Sequence, residues 1–325
     1  MLSTLRTAFD AARLTFACAA LLLCARTAHA EIATKVYLNG VAAPVYFNDG
    51  DSFRVLDGAH AGTKARLAGY NTLETHGPVH QWGSWAAKEL YAIAKMATLN
   101  ARRGTWHCES DLKRDGYERI LWFCLDLAHD QIAHGFAHVM AVGKDVGHPA
   151  LVAAQRQAML ERRGIWAKGI PTLMMTSNHS IAESTGEAMG ENYNRLVSVV
   201  DGHSEKMIHE TRYSDCENVC AKVDAPTHEG GLRVLAKLRE NEETSAIVKG
   251  VADSYLISII NEFAHLKKMP SVWTGKQRAV VERHLSAWLA DGTFGPLQKS
   301  TASCMLYVSF AIRYSPTHKP GCLKW

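Results

Sequence analysis

The first half of the chain is a run of short strand-like segments interrupted by stretches of helical spacing. Thr34 to Leu38, Ala43 to Phe47, Ser52 to Leu56 and Lys64 to Ala68 are predicted strands, separated by Asn39-Gly40, Asp49-Gly50 and Gly58. Ser84 to Leu99 changes to a helical period, with Trp85, Leu90, Ile93 and Ala97 on one apolar face. Thr105 to Glu109 and Arg119 to Leu125 return to strand. Ile132 to Met140 and Ala150 to Arg163 are predicted helices, the second opened by Pro149 and stopped by Gly164. Five or so strands with interposed helices suit a small α+β barrel of the oligonucleotide-binding type.

Beyond Gly169-Ile170-Pro171 the pattern changes. Asn194 to Val200 and Ser204 to Ile208 flank Asp201-Gly202, a strong hairpin signal. Gly231 to Lys249, Val251 to Lys268 and Lys276 to Asp291 have helical periodicity, and Cys304 to Tyr314 is strand-like. The expected organisation is a leader over 1–30, a barrel domain over 31–169 and a C-terminal domain over 170–325. In that last domain a small α/β-mixed module carries a helical insertion at about 225–298. Removing the helices between Ala225 and Gln298 is then expected to leave a folded protein.

The 325 residues are 47% hydrophobic, enough for two ordinary cores. Met1 to Ala30 has the form of a secretory signal. Arg6 and Arg13 precede the apolar run Leu14 to Ala25, and Ala28-His29-Ala30 is a small-x-small cleavage site. The run is too short to span a bilayer, which points to a secreted or periplasmic protein without a transmembrane segment; a lipid anchor at Cys24 is the rival. Cleavage after Ala30 lowers the net charge from +4 to +2, because three arginines and one aspartate leave with the leader. Bulk charge thus gives no strong nucleic-acid signal, and phosphate binding rests on local pairs such as Arg102-Arg103, Lys113-Arg114 and Arg162-Arg163.

Of eight cysteines, six lie after the leader: Cys108, Cys124, Cys216, Cys220, Cys304 and Cys322. An even number in an exported chain favours disulfides, and the absence of Cys-x2-Cys knuckles weakens the competing zinc reading. Cys108 and Cys124 sit in adjacent strand-like runs and are expected to pair. At least one bridge is expected between the group Cys216 and Cys220 and the group Cys304 and Cys322.

Charges between Asn48 and Arg119 carry the candidate chemistry. Asp49-Gly50-Asp51 is followed by Arg66 with Asn71, Thr72 and Glu74, and then by Asp115-Gly116-Tyr117-Glu118-Arg119. Two arginines clamp phosphate oxygens with planar forks, and carboxylate and carbonyl oxygens suit a hard divalent cation. The set is a sufficient kit for metal-assisted attack of water on a phosphodiester. The segments Asn48 to Phe53, Ala65 to Glu74 and Asp115 to Arg119, in that order and followed by Gly164-Ile165-Trp166, resemble the signature segments of the staphylococcal-nuclease (thermonuclease) family. The resemblance covers roughly Val36 to Trp166.

That resemblance implies an oligonucleotide-binding barrel and a nuclease that hydrolyses DNA or RNA, or both, with little sequence preference. It implies catalytic roles for Arg66, Glu74 and Arg119, metal coordination by Asp51, Asn71 and the Thr72 carbonyl, and a phosphate contact from Tyr117. Its cation is calcium. The family has Asp where this chain has Asn71 and Pro where it has Leu73, so the site lacks one formal negative charge and the identity of the ion is left open. A catalytically weakened nucleic-acid-binding module is the alternative reading. His76 and His80, just after Glu74, are candidate substrate contacts; their spacing, like that of His134 and His138, also admits zinc, though without the intervening Glu of a zinc hydrolase. Trp82 and Trp85 are open to base stacking or core packing, with packing favoured for Trp85.

Overall fold

The computed structural model describes residues 33–142, 145–183, 192–313, 315 and 320–323, so the expected leader over 1–30 lies outside the described residues. Five strands follow one another at the start: β1 (Thr34–Leu38), β2 (Val41–Asp49), β3 (Ser52–Val55), β4 (Lys64–Leu67) and β5 (Gly69–Thr72). Then come β6 (Val79–Gln81), α1 (Ala87–Arg103), β7 (Trp106–Cys108), β8 (Ile120–Trp122), α2 (Leu125–Ala133), β9 (Ala137–Met140) and α3 (Pro149–Leu160). A curled six-stranded sheet has the order β7-β1-β2-β3-β4-β8, and β5 pairs separately with β9. The protein is thus mixed α and β. Alternate residues of β1 and β2, among them Val36, Leu38, Val45 and Phe47, face a core shared with Phe53, Leu67, Trp122 and Leu127.

The expected helix from Ile132 to Met140 does not form. Gly135, at φ 69°, ends the chain's helical course after α2. A Cβ at Gly135 would lie 2.4 Å from the Arg163 carbonyl oxygen, so the close approach of two backbones requires glycine there. Ala137–Met140 becomes β9, antiparallel to β5, and places Asn71 opposite His138.

The C-terminal part contains β10 (Leu173–Asn178), β11 (Tyr193–Ser198), β12 (Ser204–Ile208) and β13 (Asn218–Ala225). Helices α4 (His228–Glu240), α5 (Glu242–Val248), α6 (Asp253–Leu266) and α7 (Gly275–Ala290) follow, then β14 (Gln298–Leu306) and the short α8 (Phe310–Arg313). The predicted hairpin is present as β11 and β12, and four helices fill the interval between β13 and β14. The expected single helix from Gly231 to Lys249 is two. Thr227 caps α4 by accepting from the Gly230 amide, and Asn241 ends that helix and caps α5 by accepting from the Glu243 and Thr244 amides. The strand expected over Cys304 to Tyr314 starts earlier, at Gln298, and stops at Leu306.

The helical interval is not a separable insertion. One apolar cluster joins Leu73, Trp82, Trp85 and Leu90 to Val234, Leu238, Ile259, Phe263 and Trp288. β14 also pairs with β13 on one side and with β6 on the other. Thr34 to Trp325 is one compact unit. Deleting the helices would open this shared core, so the expectation that they are dispensable is corrected. Trp85 packs inside it, as expected, and Trp82 does too; both indole nitrogens donate to backbone carbonyls, of Ile165 and Gly169.

Three disulfides close the fold: Cys108 to Cys124, Cys216 to Cys322 and Cys220 to Cys304. The local bridge is the expected one, and both remaining bridges cross between the two cysteine groups. Cys220 and Cys304 face each other directly in the β13–β14 register. No helix of the described residues is long and apolar enough to cross a membrane.

Candidate functional site

The tight corner between β2 and β3 is built by side chains. Asp49 Oδ1 accepts from the Asp51 amide at 3.2 Å and from the Ser52 hydroxyl at 2.6 Å, closing the turn. Gly50 is needed for room: a Cβ there would lie 2.5 Å from Thr72 Cγ2 and 2.9 Å from the Ala97 methyl. That approach brings β5 against the corner. The carbonyl of Gly50 accepts from the Tyr70 hydroxyl at 2.8 Å.

Asp51, only 2% exposed, has both oxygens engaged. Oδ1 accepts from Arg66 Nη1 at 2.6 Å, and Oδ2 accepts from the Thr72 amide at 2.8 Å. Arg66 lies opposite Ser52 in the β3–β4 register and donates its other fork nitrogen to Asn71 Oδ1 at 2.5 Å. Asn71 Nδ2 in turn donates to the Thr72 carbonyl at 2.7 Å and lies 3.5 Å from His138 Nε2. The expected metal ligands Asp51, Asn71 and Thr72 therefore converge, linked through one guanidinium. Arg66 is half-buried, which disfavours its charge, but Asp51, Asp49 and Glu74 together raise its pKa.

The acids outnumber the cation at the centre. Burial, followed by the charges of Asp51 and Glu74, pushes Asp49 up to about 8. Burial and Asp51 likewise raise Glu74, while Arg313, Arg66 and Arg119 pull it back. The charges of three arginines thus act on Glu74, two of them from the predicted set. Arg119 is held by Asp115, whose Oδ2 accepts from Nε at 2.8 Å, while Oδ1 accepts from the amides of Tyr117 and Arg119. Tyr117 is exposed, with the Arg119 guanidinium 5.4 Å from its ring centroid.

Arg313 was not legible as a site residue. It stands 239 positions after Glu74 in the chain and arrives because β14 pairs with β6. Its guanidinium lies 4.3 Å from the Phe310 centroid and donates through Nη2 to the Val308 carbonyl at 2.9 Å. Phe310 stacks on Tyr117 with centroids 6.4 Å apart and on His179 at 5.9 Å. His179 in turn lies 4.9 Å from Tyr193, whose ring carries Arg195 and Lys206 at 5.3 and 4.5 Å. A row of rings, each of the tyrosines and Phe310 bearing a cation, thus runs from Arg119 onto the β11–β12 hairpin.

The two histidines after Glu74 separate. His76 is exposed in the loop and lies 2.9 Å, by Nδ1, from the Thr75 hydroxyl. His80 is 1% exposed in β6, opposite Met305, so it cannot touch a polymer at the surface and that expectation is corrected. Burial, then the neighbouring His138, holds its pKa at about 3. His134 caps α2 at the surface beside Asp130 while His138 is buried in β9, so the two do not share a helix face. Arg102 is structural: Nε and Nη2 both donate to the Phe47 carbonyl.

No family model matches the chain, and no curated protein matches it.

Proposed function

We propose that the chain is an exported, metal-dependent nuclease that hydrolyses phosphodiester bonds of DNA or RNA on an oligonucleotide-binding-type barrel. The observation that carries this reading is Asp51, bonded to Arg66 and to the Thr72 amide, with Asn71 on the same guanidinium and with the charges of Arg66, Arg119 and Arg313 acting on Glu74. Arg66 lies in β4 and Arg119 just before β8, its parallel neighbour, and the charges of both act on Glu74. Each presents a planar fork suited to phosphate oxygens.

A divalent cation fits the donor set. Asp51 holds the Arg66 guanidinium directly, Asp49 and Glu74 act on it by their charge, and the raised pKa of Asp49 comes first from burial and then from the charges of Asp51 and Glu74. Asp51, the Asn71 amide oxygen and the Thr72 carbonyl are hard oxygen donors of the kind calcium takes. When bound, the ion would supply positive charge to the phosphate undergoing attack. The residues of the chain do the rest. Glu74, whose raised pKa makes its carboxylate a stronger base, accepts a proton from the attacking water. Arg66 and Arg119 neutralise the charge that develops on the phosphoryl oxygens, which lowers the barrier because they are already fixed by Asp51 and Asp115. The row from Tyr117 to Tyr193 offers cations along which a polyanion lies. Three disulfides support an oxidising, exported compartment.

Plasmid degradation tests the proposal: cleavage should appear with a divalent cation, stop with EDTA, and be restored selectively across a panel of calcium, magnesium and manganese. Cleavage unaffected by EDTA, or none with any ion, refutes it.

A further inference from the structure

A second group of ionisable side chains is buried in the C-terminal part. Asp201 and His203 flank Gly202 in the turn between β11 and β12. Glu262 projects from the middle of α6. Each is almost wholly buried, and each offers a ligand atom within 4.8 Å of the others. Such burial is costly without compensation, since polar groups and charges are expelled from protein interiors unless they are paired.

The pairing is incomplete. Asp201 Oδ2 accepts from the Ser271 amide at 2.7 Å, and its Oδ1 meets His203 Nδ1 at 2.5 Å. Glu262 Oε2 accepts from the Ser198 hydroxyl at 2.7 Å. Glu262 Oε1, by contrast, is buried with no hydrogen-bond partner. A network that served only to hold the turn against α6 would have no use for an orphan carboxyl oxygen, because an unsatisfied buried acceptor is destabilising. A cavity of about 20 Å³ adjoins Asp201 and His203, walled by Val146, Met269 and Ser271 with Lys268 at its edge. That is room for one water.

We propose that Asp201, His203 and Glu262 form a binding site for a divalent cation of the zinc class, with a water in the adjoining cavity as the fourth ligand. One imidazole and two carboxylates match zinc, which accepts nitrogen and oxygen ligands in fourfold geometry. Calcium, with six to eight oxygens, does not suit so small a set. His203 and Asp201 are at hydrogen-bonding distance, so loading exchanges the proton they share for the metal and moves the two atoms apart. The cation then ties the β11–β12 turn to α6, where the Tyr255 hydroxyl already donates to the Val200 carbonyl at 2.8 Å. The site stands apart from the nuclease reading and holds whether or not that reading does.

Elemental analysis and zinc titration of the full chain, first stripped with chelator, test the proposal. One zinc per chain is expected, with a rise in melting temperature. Cobalt in its place should give visible d–d bands of a low-coordinate site. Glu262→Gln keeps the shape and the Ser198 contact, and His203→Asn keeps a polar side chain. Each should weaken zinc binding at least about 100-fold, beyond the 10–100-fold that losing a supporting partner costs a metal site. His134→Asn, at the surface, should change nothing. Folded variants that bind zinc like the wild type overturn the proposal. Should a variant fail to fold, the wild type alone decides: stripped protein whose melting temperature zinc does not raise, or which shows no cobalt bands, overturns it equally.

Discussion

The side chain of Arg313 crosses Gly77 so closely that a Cβ on Gly77 would lie 2.4 Å from Arg313 Cγ and 2.8 Å from its Nε. Gly77 follows Glu74 by three residues and has φ 104°, a conformation that only glycine adopts without strain. A cation from the far end of the chain thus rests on the loop that carries the candidate base. Arg313→Ala should lower turnover by about tenfold or more, about 1.4 kcal/mol of transition-state stabilisation, with the circular dichroism spectrum retained. Gly77→Ala should do the same by displacing the guanidinium, and should also lower the melting temperature. Unchanged turnover in both would remove Arg313 from the site.

Arg66 and Arg119 should not tolerate lysine. Lysine keeps the charge but cannot span Asp51 and Asn71, or hold Asp115 through two nitrogens, as these forks do. Turnover of Arg66→Lys or Arg119→Lys should fall about 100-fold, the scale of losing one preorganised donor. DNA affinity, measured by filter binding with the catalytic cation withheld, should change far less. Wild-type turnover at saturating substrate would show that the arginine in question is not catalytic.

Asn71→Asp should tighten cation binding at a cost to the cation-free protein. The Asn71 amide now donates to the Thr72 carbonyl; a carboxylate there would face that carbonyl with no proton between them. A cation bridging the two removes the repulsion and gains a charged ligand. The cation concentration for half-maximal cleavage should fall, and the melting temperature in EDTA should drop below that of the wild type. If neither shifts, position 71 does not touch the ion.

Acid should unfold the protein partly through His80. Its pKa is lowered from 6.5 to about 3 by burial and then by His138. Above pH 6.5 the folded and unfolded chains are both neutral here, and the group contributes no pH dependence. Between pH 6.5 and about 3 only the unfolded chain takes up the proton, so stability falls as pH falls, by about 1.4 kcal/mol per pH unit. His138, held at about 4 chiefly by burial, acts in the same direction. Urea titrations from pH 7 to pH 4 should show a shallower acid limb for His80→Leu; parallel limbs would mean that His80 is protonated in the folded state.

Cutting the bridge between Cys220 and Cys304 should destabilise the fold substantially. It closes a sequence separation of 84 residues, worth about 4–5 kcal/mol in the chain-entropy model. The paired variant Cys220→Ala, Cys304→Ala should therefore unfold at markedly lower denaturant. Peptide mapping without reduction should recover the three bridges described; a peptide linking Cys216 to Cys220 would contradict them.

Much of this protein was determined along the chain itself. Many strand and helix periods, the Asp201-Gly202 hairpin and the helical character of the interval before β14 are consequences of local spacing, because side-chain direction repeats with backbone geometry. The order of Asp51, Arg66, Glu74 and Arg119 marked one candidate site, and the count and grouping of cysteines marked the bridges. Other features had no local signal. Gly135, packed against the Arg163 carbonyl 28 residues further on, ends the helical course before Ala137 to Met140. Arg313 came against Gly77, three residues after Glu74, and His80 was sealed from solvent where β6 pairs with β14. The cluster of Asp201, His203 and Glu262 needed the turn packed on α6. These depend on which distant surfaces meet. Long-range pairing is set by burying a shared apolar core, here joining Trp85 to Trp288, and the period of a segment does not name the partner it will be buried against.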